Sequence, residues 1–73
     1  MYNSVEDFFK AEHPDLAEML DNGGAFWPKV KDNSISNATL AGNYAIARPG
    51  GAVHSACAAM MSARLTGKIQ NIG

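Results

Sequence analysis

The stretch PGGAVHSACAAMMSARLTG, residues 49 to 67, does most to decide the fold of this chain. A proline followed by two glycines cannot lie inside a helix, and no helix breaker follows until Gly67, a residue that suits a helix end. When the side chains between are placed at 100° steps, they are apolar around most of the circumference. The sequence therefore predicts an alanine-rich helix over 52–66 that is buried on most sides.

One side of this predicted helix carries a narrow stripe of small side chains. The stripe consists of Ala52, Ala56, Ala59 and Ala63. Small side chains let a second backbone approach closely, and a partner helix or strand needs small residues of its own. We expect Ala38, Gly42 and Ala45 to supply that partner surface.

The other apolar side chains of the helix exceed what a chain of 73 residues can enclose. Alanine supplies 12 of the apolar residues, so large side chains that could cover the helix are few. Because large exposed apolar patches mark interaction sites, we expect Met60, Met61 and Leu65 to contact a partner.

Residues 4 to 21 show the clearest helical period, with an acidic side opposite an apolar one. Ser4 is a plausible N-cap for this segment. Pro14 interrupts the period, because proline lacks a backbone donor and restricts the residue before it. The sequence predicts helices at about 4–12 and 14–21, and a single kinked helix is the alternative. The apolar side consists of Val5, Phe8, Phe9, Leu16, Met19 and Leu20.

Residues 22–36 predict a long irregular loop, because glycine, asparagine, serine and proline break any period there. Phe26 and Trp27 inside it either fold back onto the chain's own core or anchor a partner, since tryptophan is enriched at binding hot spots. We count both among the predicted partner contacts. Residues 36–48 favour a helix over a strand, although the pattern of apolar residues leaves both open.

These segments predict a mainly α protein of three or four short helices in a single small domain, 1–73. A single cysteine excludes an internal disulfide. The acidic N-terminal segment does not resemble a signal peptide, and no apolar stretch is long enough to span a bilayer. We expect the protein in the cytoplasm or in a particle assembled inside the cell.

The charges are segregated along the chain, although the formal net charge is only −1. Residues 1–28 hold six of the seven acids, and residues 29–73 hold five of the six cations. Either the two halves match each other inside the fold, or the acidic and basic surfaces steer a partner. Five scattered cations without interleaved aromatics do not favour nucleic-acid binding.

The chemistry candidates are weak. His54 and Cys57 lie one helical turn apart, but Cys57 falls among apolar residues well inside the predicted helix, as a buried structural cysteine would. The donors His13, His54 and Cys57 lack the paired spacings of a zinc site. We therefore expect no catalytic residue, no metal and no cofactor.

The sequence is most consistent with a non-catalytic accessory or assembly subunit that packs onto a larger complex or onto copies of itself. A small structural protein of a virion or another multi-subunit particle is one example. The tail 68–73 shows no period of its own, which suggests that neighbouring chains hold it. The alternative is a free-standing regulator or inhibitor whose acidic first helix binds a basic protein target.

Overall fold

The computed structural model describes every residue from Met1 to Gly73 and is mainly helical, without any β-strand. This confirms the predicted mainly α fold class, although five α-helices and one 3₁₀ helix form where three or four helices were predicted. None of the helices has the length and apolar character needed to cross a bilayer. The helices are α1 (Val5–Glu12), α2 (Pro14–Ala17), a 3₁₀ helix (Glu18–Asp21), α3 (Phe26–Lys31), α4 (Asn37–Ile46) and α5 (Ala52–Leu65).

The first two helices begin where the sequence predicts. The Oγ atom of Ser4 accepts a hydrogen bond from the backbone N–H of Asp7 at 3.0 Å, which caps α1. His13 leaves helical geometry with φ −139°, and Pro14 then occupies the start of α2, where its missing N–H costs no hydrogen bond. Pro14 therefore separates two helices and does not kink one.

The start of α4 and the end of α5 are also fixed by single residues. The Ser36 Oγ accepts from the backbone N–H of Thr39 at 3.1 Å, so the segment 36–48 is a capped helix and not a strand. At the end of α5, Gly67 adopts φ +75° and the Lys68 N–H donates to the Ala63 carbonyl at 2.8 Å. A glycine in the left-handed region followed by this bond is the Schellman ending that Gly67 predicts.

The prediction of an irregular loop over 22–36 was wrong in its middle, where α3 forms. Pro28 suggested a breaker, but it lies in the first turn of α3, whose N–H groups have no partner inside the helix. Trp27 and Val30, three positions apart, both face the core and stabilise this short helix.

A single apolar core joins the two halves of the chain and contains 15 buried residues. Ala56, Ala59 and Ala63 of the alanine stripe lie inside it, and Ala52 packs against it half-buried. The expected partner surface was wrong, because Ala38, Gly42 and Ala45 are exposed. Large side chains such as Phe8 and Phe9 fill the core beside the small alanines, and α4 turns Leu40 inward.

The C-terminal tail is held by its own chain, which corrects the inference that neighbours must order it. Ile69 is buried in the core, and the Tyr2 N–H donates to the Lys68 carbonyl at 2.7 Å. The Asn33 Nδ2 donates to the Gln70 carbonyl at 2.8 Å. One buried side chain and two backbone anchors are enough to fix a short tail.

The segregated charges are partly matched inside the fold. The Lys31 Nζ lies 2.6 Å from Asp21 and 3.8 Å from Glu6, and the Lys68 Nζ lies 2.7 Å from Glu12. Two cations of the second half thus pair with three acids of the first half, as the first of the two interpretations expected.

Candidate interaction face

The outward side of α4 is made mostly of apolar side chains and glycine, with Thr39 exposed beside Ile46. Leu40 is the one fully buried residue of this helix. A helix on the surface of a globular protein normally turns charged and polar residues toward water, whereas α4 exposes no charged residue and few polar ones. Ile46 is the largest of these residues and is 85% exposed. The outward side consists of Ala38, Ala41, Gly42, Ala45 and Ile46.

The helix α5 continues this surface. Ala58 is exposed, Met61 is half-buried and Leu65 is 83% exposed, and their spacing places them on one side of the helix. We call the exposed sides of α4 and α5 together the neutral face. Its members are Ala38, Ala41, Gly42, Ala45, Ile46, Ala58, Met61 and Leu65.

Contacts at both ends of the two helices show that they lie antiparallel and side by side. Arg64 near the end of α5 donates to Asn37 at the start of α4, at 2.8 Å. Near the other end the rings of Tyr44 and His54 stack with centroids 4.2 Å apart. The exposed sides of α4 and α5 therefore adjoin.

The neutral face carries no charge. Between residues 33 and 63 the only aspartate, glutamate, lysine or arginine is Arg48, in the turn between the helices. The helix α4 also has no acid in its first turn and no base in its last turn. Its N-terminal end is instead capped by the uncharged Ser36 side chain.

Buried Arg64 fixes how the two helices are oriented. The side chain donates from Nε and Nη2 to the Asn33 Oδ1, at 3.2 and 2.8 Å, and from Nη2 to the Ile35 carbonyl at 2.7 Å. Together with the bond to Asn37, these contacts tie α5 to α4 and to the turn before α4. Burial lowers the pKa of Arg64, which has no carboxylate partner. The guanidinium is nevertheless too strong a base to lose its proton.

The structure divides the predicted partner contacts. Leu65 is exposed on the neutral face and Met61 is half-buried there. Phe26 is half-buried beside Trp27, with ring centroids 5.0 Å apart, and lies outside the neutral face. Trp27 and Met60 are core residues, 8% and 0% exposed, so they are not available to a partner. Met60 was assigned as a contact because the sequence suggested too few elements to enclose it, and Trp27 because tryptophan is enriched at binding hot spots.

Sequence reasoning missed the α4 half of the neutral face. It assigned Ala38, Gly42 and Ala45 to internal packing and gave Ala41 and Ile46 no role. The signal was present in the sequence as the absence of charge from residue 33 to residue 47. A surface helix without any charged residue differs from the usual amphipathic pattern.

The thiol does not form a reactive pair. Cys57 is completely buried, and burial raises the pKa of its thiol, whereas a nucleophile needs a lowered pKa. The Nδ1 atom of His54 accepts from the backbone N–H of Gly50 at 3.3 Å, and its ring stacks on Tyr44. No three His, Cys, Asp or Glu side chains come together in a group that could hold a metal ion.

An open groove of about 640 Å³ lies between the α1–α2 corner and α5. Phe8 and Ala59 lie among its apolar residues, and His13, His54 and Lys68 among its polar ones. No buried side-chain nitrogen or oxygen in the protein lacks a hydrogen-bond partner.

No protein-family model, curated protein or solved structure matches this chain.

Proposed function

We propose that this protein is a non-catalytic accessory or assembly subunit that packs through its neutral face onto a larger complex or onto copies of itself. A small structural protein of a virion or of another multi-subunit particle is one setting that fits. The observation that supports this most is the outward side of α4, which exposes no charged side chain from Ala38 to Ile46 and whose polar side chains are limited to Thr39, half-buried Asn43 and the hydroxyl of Tyr44.

The energetics of the neutral face favour burial. Complete burial of a large aliphatic side chain is worth about 1.5–3 kcal/mol, and Ile46 and Leu65 are both more than four-fifths exposed. Charged groups oppose association because they must lose water, and the neutral face has none to desolvate. Association therefore gains apolar burial without that opposing cost.

The size of the side chains suggests what kind of element fits. Along α4 only Ile46 projects far, and a Cβ atom added at Gly42 would meet nothing within 4 Å. Helix axes approach to about 8 Å where contacting side chains are small. A partner helix can therefore lie close against α4, and a partner of helical structure is favoured.

The alternative function, a regulator that uses its acidic first helix against a basic target, has less support. Glu6 lies 2.9 Å from Lys10, and Glu12 lies 2.7 Å from Lys68. Acids that are already paired within the chain have less attraction left for a basic partner. The two functions differ in salt dependence, because charge-driven binding weakens steeply with salt and apolar association does not.

The test compares the purified chain with Ala41→Glu, which places a charge in the neutral face, and with Ala11→Glu, a matched change on the exposed side of α1. Circular dichroism first establishes that all three chains fold. We expect the unmodified chain and Ala11→Glu to form a defined oligomer, or to be retained on a hydrophobic resin, in a manner insensitive to salt. Ala41→Glu should lose that behaviour. Identical behaviour of all three folded chains would contradict the proposal.

A further inference from the structure

We infer that the occupant of the neutral face is a second copy of this chain, with the two α4 helices antiparallel across a twofold axis at Gly42. This inference rests on the proposed function and names its partner. Two features of the neutral face support it: the order of side-chain sizes along α4, and the area that a stable dimer needs.

The order of side-chain sizes along α4 is self-complementary. Ala38, Gly42 and Ile46 are spaced four residues apart and therefore form one ridge on the helix surface. The residue with no side chain is in the middle, a small residue is at one end and a large one is at the other. Rotation by 180° about Gly42 places Ile46 of each copy over Ala38 of the other copy. A twofold interface requires such reciprocal contacts.

The area requirement explains why α5 takes part. A standard interface buries about 800 Å² on each partner, which is about a fifth of the 4212 Å² surface of this chain. The ten residues of α4 span only about 15 Å and are too few to supply that area. Ala58, Met61 and Leu65 extend the apolar surface onto α5. The dimer would therefore be a layered packing of four helices.

Disulfide trapping tests the twofold axis. We would make Gly42→Cys, where an added Cβ meets nothing within 4 Å, and Ala11→Cys as the matched exposed control. The native Cys57 is completely buried and does not compete. Under mild oxidation, Gly42→Cys should form a covalent dimer at least about tenfold faster than Ala11→Cys, since a disulfide needs Cα atoms within about 7 Å.

A mixing experiment tests the register. Chains carrying Ala38→Cys are combined with isotopically labelled chains carrying Ile46→Cys, and the disulfide products are weighed by mass spectrometry. Antiparallel pairing predicts that the mixed dimer dominates, because positions 38 and 46 meet each other. Dominance of the 38–38 and 46–46 dimers would overturn the antiparallel arrangement.

The outcomes separate this inference from the proposed function. If neither Gly42→Cys nor the mixture forms dimers faster than Ala11→Cys, and the unmodified chain is monomeric by light scattering, a second copy is not the occupant. The proposed function then survives only if the hydrophobic retention of the monomer is still lost in Ala41→Glu. If that retention is also unchanged, both are overturned.

Discussion

The first three helices and the last two helices of this small protein place their apolar residues differently. In α1 the large apolar side chains Val5, Phe8 and Phe9 face inward, and the acids face water or pair with lysines. In α4 a single large side chain, Leu40, faces inward, while alanines, Gly42 and Ile46 face outward. The helix α1 thus gives its large apolar side chains to the core, whereas α4 gives only Leu40 and leaves its other apolar residues exposed.

This difference shows that apolar content alone does not identify core residues. Phe9 is completely buried and Ile46 is 85% exposed, although both are large apolar residues in helices. The deciding factor is what lies on the other side of the helix. The helix α1 has a charged side that can face water, whereas α4 has no such side, so one of its apolar sides must remain exposed in a single chain.

Substitutions at Phe9 and at Ile46 should differ most in their effect on the free energy of unfolding. Phe9→Ala removes a fully buried ring, and such changes cost about 3–5 kcal/mol, enough to unfold a chain with so small a core. Ile46→Ala removes an exposed side chain and should change the free energy of unfolding by less than about 0.5 kcal/mol. Chemical denaturation at low chain concentration, where any dimer dissociates, measures both. If both variants lose the same free energy of unfolding, Phe9 and Ile46 contribute equally to the monomer and the contrast between α1 and α4 is wrong.

The second prediction concerns the link between the regions. Arg64→Ala leaves the oxygens of Asn33, Asn37 and Ile35 without their donor, which should cost about 2–4 kcal/mol. The matched control is Arg48→Ala, because Arg48 is exposed and has no ion-pair partner, and its effect should stay within about 0.5 kcal/mol. Thermal unfolding followed by circular dichroism compares the two variants. A small effect of Arg64→Ala would mean that water replaces the guanidinium.

Much of this fold was predictable because its helix boundaries have local causes. The caps at Ser4 and Ser36, the break at Pro14 and the ending at Gly67 follow from the chemistry of single residues. The helix α3 was missed because it is short, contains Pro28 and is stabilised by the packing of Trp27 and Val30 into the core. Local sequence does not encode such contacts.

The candidate site was only half predictable for a similar reason. The sequence identified Met61 and Leu65 as surplus apolar surface on α5, and both lie on the neutral face. It could not decide which side of α4 faces inward, because Leu40 and the alanines are all apolar. Arg64 settles that orientation through contacts with residues about 30 positions away in the chain.

Replacing either of two glycines with alanine should change the free energy of unfolding, but in opposite directions. Gly67→Ala forces a side chain into the left-handed conformation at φ +75° and should destabilise by about 1 kcal/mol. Gly42→Ala lies in the exposed interior of a helix with free space around it, and should stabilise the monomer by up to about 1 kcal/mol. Denaturation at low chain concentration measures both. Destabilisation by Gly42→Ala would mean that its backbone conformation or surroundings differ from those described.

The smallest expected effect is a pH dependence that belongs to the first region. Hydrogen bonds from Lys68 and then Tyr2 lower the pKa of Glu12 below its ordinary value of 4.5. A carboxyl whose pKa is lower in the folded state stabilises the fold above its ordinary pKa, and that contribution is lost as the pH falls through the folded value. Thermal unfolding should therefore show a mild loss of stability below about pH 5, smaller in Glu12→Gln than in Glu18→Gln, since Glu18 forms no ion pair. If stability falls equally with decreasing pH in both variants, Glu12 is not the source of the loss.

The most direct test of the central claim, that the neutral face is covered by a second copy, uses the four isoleucines as reporters. Ile35 and Ile69 are buried in the core, Ile46 lies on the neutral face, and Ile72 is 45% exposed and outside it. A soluble paramagnetic agent broadens the methyl resonances of exposed side chains in a methyl-labelled sample. We predict that Ile46 broadens with Ile72 at low chain concentration and becomes as protected as Ile35 at high concentration. If Ile46 broadens with Ile72 at every concentration, the neutral face stays in water and the claim is contradicted.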